Sequence, residues 1–376
     1  MPWSSWICCG SCWKMKYSEE YRDPALVERL YARIHDIASD IDSTVTIMEI
    51  CGTHTHAIGR FGIKSRLPDT VRLISGPGCP VCVTAVEDID RSLSMGRLPG
   101  VILTTFGDMI RVPGTDGDTL ERARAQGADV RVVASVMDAL NLATAEPERE
   151  IVFLGIGFET TAPTVAATLR RCRERGVGNF SVFSVHKVIP PAIRFLLDDP
   201  ELAVNGFLCP GHVSTILGVD AYELMPQRGT AAVITGFEPT DILEGIAMIL
   251  EQVASGKMAV EIQYGRAVNR EGNPVAMKMM GEVFRPSVAR WRGLGDLPGS
   301  GLVLADDYGH FDVFDRFDVP DVESREEAGC LCGEILTGRK APSECPLFRT
   351  RCTPTNPIGP CMVSHEGTCA AYYRYY

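Results

Sequence analysis

The chain has 376 residues, enough for two or three domains of roughly 100–200 residues each. Its 45% hydrophobic and 23% charged residues exclude a disordered or fibrous polymer. Lys and Arg number 37 against 48 Asp and Glu, a net charge of −11, so the counterion release that drives nucleic-acid binding gains nothing here and no nucleic-acid partner is expected. The longest apolar runs, such as residues 151–156, fall far short of the about 20 needed to span a bilayer, so no membrane partner is expected.

Residues 1–16 hold Trp3, Trp6, Trp13, Cys8, Cys9 and Cys12 without periodicity and read as a disordered or mis-started extension. They lack the basic stretch and apolar run of a secretion signal, and a cytoplasmic location is expected. Pro24 opens a helix, with Leu26, Leu30, Ile34 and Ile37 at spacings of three and four. Short apolar strands follow, each ending in a Gly/Pro-rich turn. Residues 45–50 run into Cys51-Gly52-Thr53-His54, and 71–75 into Gly76-Pro77-Gly78-Cys79-Pro80-Val81-Cys82. Residues 101–105 run into Phe106-Gly107-Asp108, and 130–133 precede a helix near 137–144. Strands alternating with helices indicate βα units around a parallel sheet.

The second half repeats the plan. Residues 151–154 lead into Gly155-Ile156-Gly157-Phe158-Glu159-Thr160-Thr161 and a helix over 164–175. Residues 180–184 end at His186-Lys187, 206–208 at Cys209-Pro210-Gly211-His212, and 231–235 at Gly236-Phe237-Glu238. The shared rhythm predicts two related, doubly wound α/β domains over residues 17–146 and 147–262, facing each other across a cleft. Beyond a helix over 242–254, residues 275–283 read as a Met-rich packing helix and 293–320 as loop. Residues 263–376 are expected to form a third, cysteine-rich domain.

Fourteen cysteines are present, and six of them lie between Cys330 and Cys369. A chain this long does not need a disulfide framework to build a core, so metal and redox chemistry is the expected use. Ligands of open α/β sheets bind outside the carboxyl ends of the strands. Cys51, Cys79, Cys82, His186, Cys209 and His212 all fall at such ends. Cys79-Pro80-Val81-Cys82 is spaced for a small disulfide ring, and the same spacing also serves half a zinc site. Cys51 beside His54 is a candidate nucleophile or metal ligand. The tail cysteines, set among Gly and Pro turns, suit an iron–sulfur cluster, with zinc the competing metal.

Five of these segments resemble the HypD family in order: Cys51-Gly52-Thr53-His54-Thr55, Gly76-Pro77-Gly78-Cys79-Pro80-Val81-Cys82, Gly157-Phe158-Glu159-Thr160-Thr161, Pro210-Gly211-His212-Val213 and Gly359-Pro360-Cys361-Met362-Val363-Ser364. The resemblance covers about residues 17–376 and implies a maturation factor for nickel–iron hydrogenases. It implies two α/β domains and a domain with a [4Fe–4S] cluster. It also implies a complex with a small chaperone, HypC, on which an Fe(CN)2CO unit is assembled with cyanide from HypE. Cys51 would then be an iron ligand, alongside a cysteine of the chaperone, and His54 an outer-sphere group or proton handler. Cys79 and Cys82 would be a redox pair, and His212 and Glu366 cleft residues. The family's cluster pattern, with 14, 6 and 16 intervening residues, falls on Cys330, Cys345, Cys352 and Cys369 and leaves Cys332 and Cys361 over. Two functions are open at this point: a scaffold and redox catalyst for assembling the iron unit, or a cluster-dependent thiol–disulfide oxidoreductase.

Overall fold

A computed structural model describes residues 19–320 and 322–376; the extension expected over residues 1–16 lies outside them. The first long helix, Pro24–Ser39, starts where the sequence places it. The Asp23 carboxylate accepts the N–H groups of Ala25 and Leu26, and Pro24 supplies a preset first-turn φ. The buried face, Leu30, Tyr31, Ile34 and Ala38, has helical spacing.

Among the described residues, nine strands form two parallel sheets. They are β1 (Val45–Glu49), β2 (Val71–Ser75), β3 (Val101–Thr105), β4 (Val130–Val132), β5 (Glu150–Gly155), β6 (Phe180–Ser184), β7 (Gly206–Pro210), β8 (Ala231–Thr235) and β9 (Val260–Ile262). The first sheet has the order β2-β1-β7-β8-β9 and the second β4-β3-β5-β6. Counted within each sheet, these orders are 2-1-3-4-5 and 2-1-3-4, one doubly wound plan used twice. Every residue of β3 and β8 is buried, as parallel strands covered by helices on both faces require.

The linear division into 17–146 and 147–262 does not follow this pairing. Ile47 of β1 pairs with Gly206 of β7, so the first sheet draws strands from both segments, and the second sheet is inserted between β2 and β7. The strands are alike as short apolar runs, and nothing local in them names a partner.

Residues 293–320 are not simply loop. β10 (Phe284–Trp291) and β11 (Gly295–Leu304) form an antiparallel hairpin, with Phe284 opposite Leu304 and a register shift between Ser287 and Ala289. Gly and Pro hide the strand pattern, and the pairing is supplied by the partner strand rather than by alternation. Phe284, Leu302 and Leu304 join Phe153 and Phe180 in the core of the second sheet. The Met-rich segment packs beside them as the helix Pro274–Val283, burying Met280 and Val283. The tail cysteines instead share a core with Met48 and Phe207 of the first sheet. The described residues of 263–376 are therefore divided between the two sheets and have no separate core of their own. No helix among the described residues is long and apolar enough to cross a membrane.

Candidate functional site

In the first sheet the winding reverses between β1 and β7, the switch point at which α/β sheets open a crevice. Cys51 lies just beyond β1 and is the N-terminal flanking residue of the helix Gly52–Arg60. Its φ of −150° and ψ of 124° continue the strand, and its side chain makes no capping bond. The thiol is buried, with 7% of the residue exposed. Across the switch point, β7 ends at Pro210 and the helix Gly211–Leu217 begins, carrying His212.

Gly78 brings the second thiol segment here. Its α-carbon lies so close to the backbone of Ile50 and Cys51 that any side chain would overlap them. Gly52 N–H donates to Gly78 O at 3.1 Å, and Gly76 N–H to Glu49 O at 2.7 Å. Cys79 and Cys82 follow at once and are joined by a disulfide, with α-carbons 5.2 Å apart. Both are buried, and the Cys79 sulfur accepts the Cys82 N–H at 3.3 Å.

Two carboxylates set the electrostatics. Glu49, at the end of β1, is 2% exposed and accepts from Cys51 N–H at 3.0 Å and from the Thr55 hydroxyl at 2.5 Å. Burial pushes its carboxyl up to about 8, against the hydrogen bonds that favour the charged form. Glu366 reaches in from the tail. It accepts the Thr53 hydroxyl at 2.8 Å, and its β-carbon lies 2.6 Å from where a side chain on Gly52 would begin. Burial, and then the negative charge of Glu366, push the Cys51 thiol up to about 12, so it holds its proton at neutral pH.

His54 is fully buried, with Nε2 2.9 Å from Gly236 O and 3.0 Å from the Thr235 hydroxyl. A carbonyl oxygen only accepts, so Nε2 carries the proton, and Nδ1 is left without a partner among the described residues. Burial lowers its pKa to about 4, so the ring is neutral. Phe237 separates it from His212, with ring centroids 4.8 Å from the first and 4.0 Å from the second. Burial lowers the pKa of His212 and Glu366 opposes that shift.

Not every strand-end group converges here. His186 belongs to the second sheet, where its Nδ1 lies 3.0 Å from Ser184 Oγ. Cys209 is a core residue, with its sulfur 3.8 Å from Met225 Sδ.

The six tail cysteines line one small cavity, walled by Ile335, Leu347, Phe348 and Met362. Cys332 and Cys361 are the deepest, with their sulfurs 2.9 Å apart. Ile358 N–H donates to Cys352 Sγ at 3.4 Å. A β-carbon on Gly359 would sit 2.9 Å from Cys330 Sγ, so the chain passes this sulfur as bare backbone. The short helical turn Pro360–Met362 packs against the segment Pro80–Val83, and the disulfide and tail cysteines share one apolar core. Among the described residues no three His, Cys, Asp or Glu side chains are gathered as ligands of a single ion.

Sequence reasoning missed Glu49. Glu49 carried a signal, since it is the one charged residue in an otherwise uncharged strand.

The fold and these thiols define an α/β protein with one thiol at a switch point, a disulfide held against its backbone, and a cavity lined by six thiols that shares a core with that disulfide. Comparison with known proteins is more specific. The family model described as HypD, Hydrogenase formation hypA family, matches residues 25–376. The chain is 46% identical over 370 residues to the hydrogenase maturation factor HypD of Cupriavidus necator, covering 96% of this chain and 97% of that protein. It is 46% identical over 368 residues to HypD of Azotobacter vinelandii, covering 96% and 97%. With HypD of Escherichia coli the identity is 43% over 367 residues, covering 96% and 98%. The chain belongs to the HypD family of hydrogenase maturation factors.

Proposed function

We propose that the protein is the scaffold on which an iron unit bearing cyanide and carbon monoxide is assembled for nickel–iron hydrogenase. Its partners in this reading are a small chaperone of the HypC type and a cyanide-delivering protein of the HypE type. The observation that carries the reading is the placement of Cys51: a lone thiol at the switch point, with the disulfide segment stacked on its backbone through Gly78. Low-spin iron with cyanide and carbon monoxide ligands is soft, and thiolate suits it. One thiolate from this chain leaves the remaining positions to the incoming ligands and to a thiolate of the chaperone. A closed four-thiolate site would hold the iron too firmly to hand on. The negative charge of Glu366 acts on the Cys51 thiol, and the Thr53 hydroxyl holds that carboxylate beside the site. Glu49 holds the Cys51 backbone in place.

The tail cysteines fit a [4Fe–4S] cluster. Such a cluster takes one thiolate at each of four separate corners rather than gathering ligands on one ion, and the cavity offers thiols on several sides with an apolar wall and a bare glycine backbone. Cys330, Cys345, Cys352 and Cys369 would hold it, and when bound it supplies one-electron redox chemistry. Cys79 and Cys82 store two electrons as a dithiol and release them on forming the disulfide. The alternative, a thiol–disulfide oxidoreductase acting on other proteins, is disfavoured by access: Cys79 is 3% and Cys82 0% exposed, buried from a substrate thiol.

The test is Cys51→Ser and Cys51→Ala in the complex co-purified with its small partner. Both are expected to lose the cyanide and carbon monoxide infrared bands and hydrogenase maturation, while the melting temperature and the visible absorbance of the tail are kept. Bands at wild-type intensity in either variant would reassign the iron to another residue.

A further inference from the structure

A second concave site lies away from the switch point, where the hairpin turn, residues 114–122 and the tail segment 351–358 meet. It is a pocket of about 650 Å³, within the usual range for small-molecule sites. Its wall holds five arginines against four carboxylates. The rim arginines already have partners: Arg325 lies 3.4 Å from Asp116 and Arg351 3.2 Å from Glu327, while Arg111 and Arg122 donate to the carbonyls of Pro354 and Gly117.

Arg292 is different. It is 5% exposed, its Nε donates to Thr84 O at 3.1 Å, and its Nη2 meets no acceptor among the described residues. The nearest carboxylate, Glu326, is half-exposed and 4.0 Å from Nε, beyond hydrogen-bond reach. A guanidinium offers five N–H donors, and a buried cation is costly unless it is paired and hydrogen-bonded. The unpartnered Nη2 and the excess of five arginines over four carboxylates in the wall both suit a ligand that offers acceptor oxygens and a negative charge.

We infer that this pocket binds a small organic oxyanion, a carboxylate or a phosphate, that docks on Arg292. The site touches both sulfur centres through the chain. Arg292 N–H donates to Val83 O at 2.9 Å, just after the disulfide, and Ile358 of the pocket wall donates to the Cys352 sulfur. An occupant is therefore placed to be sensed by, or to steady, the segments that carry the thiols. This inference stands apart from the assignment of Cys51.

The test uses the full chain, purified anaerobically and titrated by calorimetry with sodium phosphate and, separately, sodium malonate, at constant ionic strength set with sodium chloride. At least one of the two is expected to bind saturably at one site per chain. Tighter phosphate identifies a phosphorylated ligand, and tighter malonate a carboxylic acid. Loss of charge-assisted hydrogen bonds in Arg292→Met is expected to weaken binding about tenfold or more. Arg351→Gln at the rim, an exposed pair, is expected to change it less than about threefold. If Arg292→Met fails to melt cooperatively, Arg292→Lys decides. It keeps the charge and loses the fork, and a weakening of about fivefold or more supports the site. Absence of saturable binding by both anions, or wild-type affinity in the Arg292 variant that folds, overturns it.

Discussion

Glu49 accepts the backbone N–H of Cys51, two residues further on, at 3.0 Å while itself buried at the end of β1. The carboxyl that fixes the position of the thiol is thus held near 8, far above its ordinary value of 4.5. Between these values the folded chain binds a proton that the unfolded chain has lost, so stability falls as pH rises through this window. The buried, neutral His54 works the other way below its ordinary 6.5, losing stability as pH falls toward 4.

Comparison of Glu49→Gln with the parent isolates the carboxyl. Melting curves from pH 5 to 8.5 are expected to show the parent losing stability relative to the variant, by on the order of a few kcal/mol across the window. Parallel curves over that range would show that Glu49 is ionised throughout, and its burial would then need another explanation.

Gly78→Ala tests the stacking of the disulfide segment on Cys51. The added carbon meets backbone atoms of Ile50 and Cys51, which cannot swing aside as a side chain can. Urea denaturation is expected to show a loss of about 3 kcal/mol or more. Gly178→Ala, where nothing lies within 4 Å of the added carbon, is expected to stay within about 0.5 kcal/mol. Equal stability of the two variants would mean that the two thiol segments are not in contact in solution.

The tail makes an analytical prediction. Anaerobically purified protein is expected to be brown, with about four irons and four sulfides per chain. Cys345→Ala and Cys352→Ala are expected to bleach it, and Cys332→Ala to leave its iron content unchanged. Zinc in place of iron in protein from anaerobic cells rules the cluster out.

Much of the local structure was legible. Val71–Ser75, Val101–Thr105, Phe180–Ser184 and Ala231–Thr235 are strands over the residues expected, because each is a short apolar run closed by Gly, Pro or a polar turn. The alternation of strands and helices was legible, but the repeat read from it matched the wrong segments: the turn after β3 was set beside that after β8, whereas β3 opens the second sheet and β8 is the fourth strand of the first. Which strand lies beside which was not legible: the neighbour of β1 is chosen by tertiary packing, and β7 has no local mark that distinguishes it from β3. The placing of Cys51 and His212 at strand ends followed from the pattern alone. The position of His54 did not, because its ring is committed to Gly236 O and Thr235, on a strand far away in sequence.

The insertion of one sheet inside the other sets an order of events during synthesis. β1 and β2 leave the ribosome early, but the edge of β1 that β7 will cover stays open while the whole second sheet is made. That sheet has all four of its strands before β7 emerges, so it is free to fold first. The pocket around Cys51 closes later still, because Glu366 lies 313 residues beyond Thr53, whose hydroxyl it accepts. A growing chain therefore presents this thiol naked, with neither its burial nor its carboxylate partner, for most of its time on the ribosome. Burial of Cys51 and the arrival of its carboxylate neighbour are therefore late events of folding, set by distance along the chain and not by local stability.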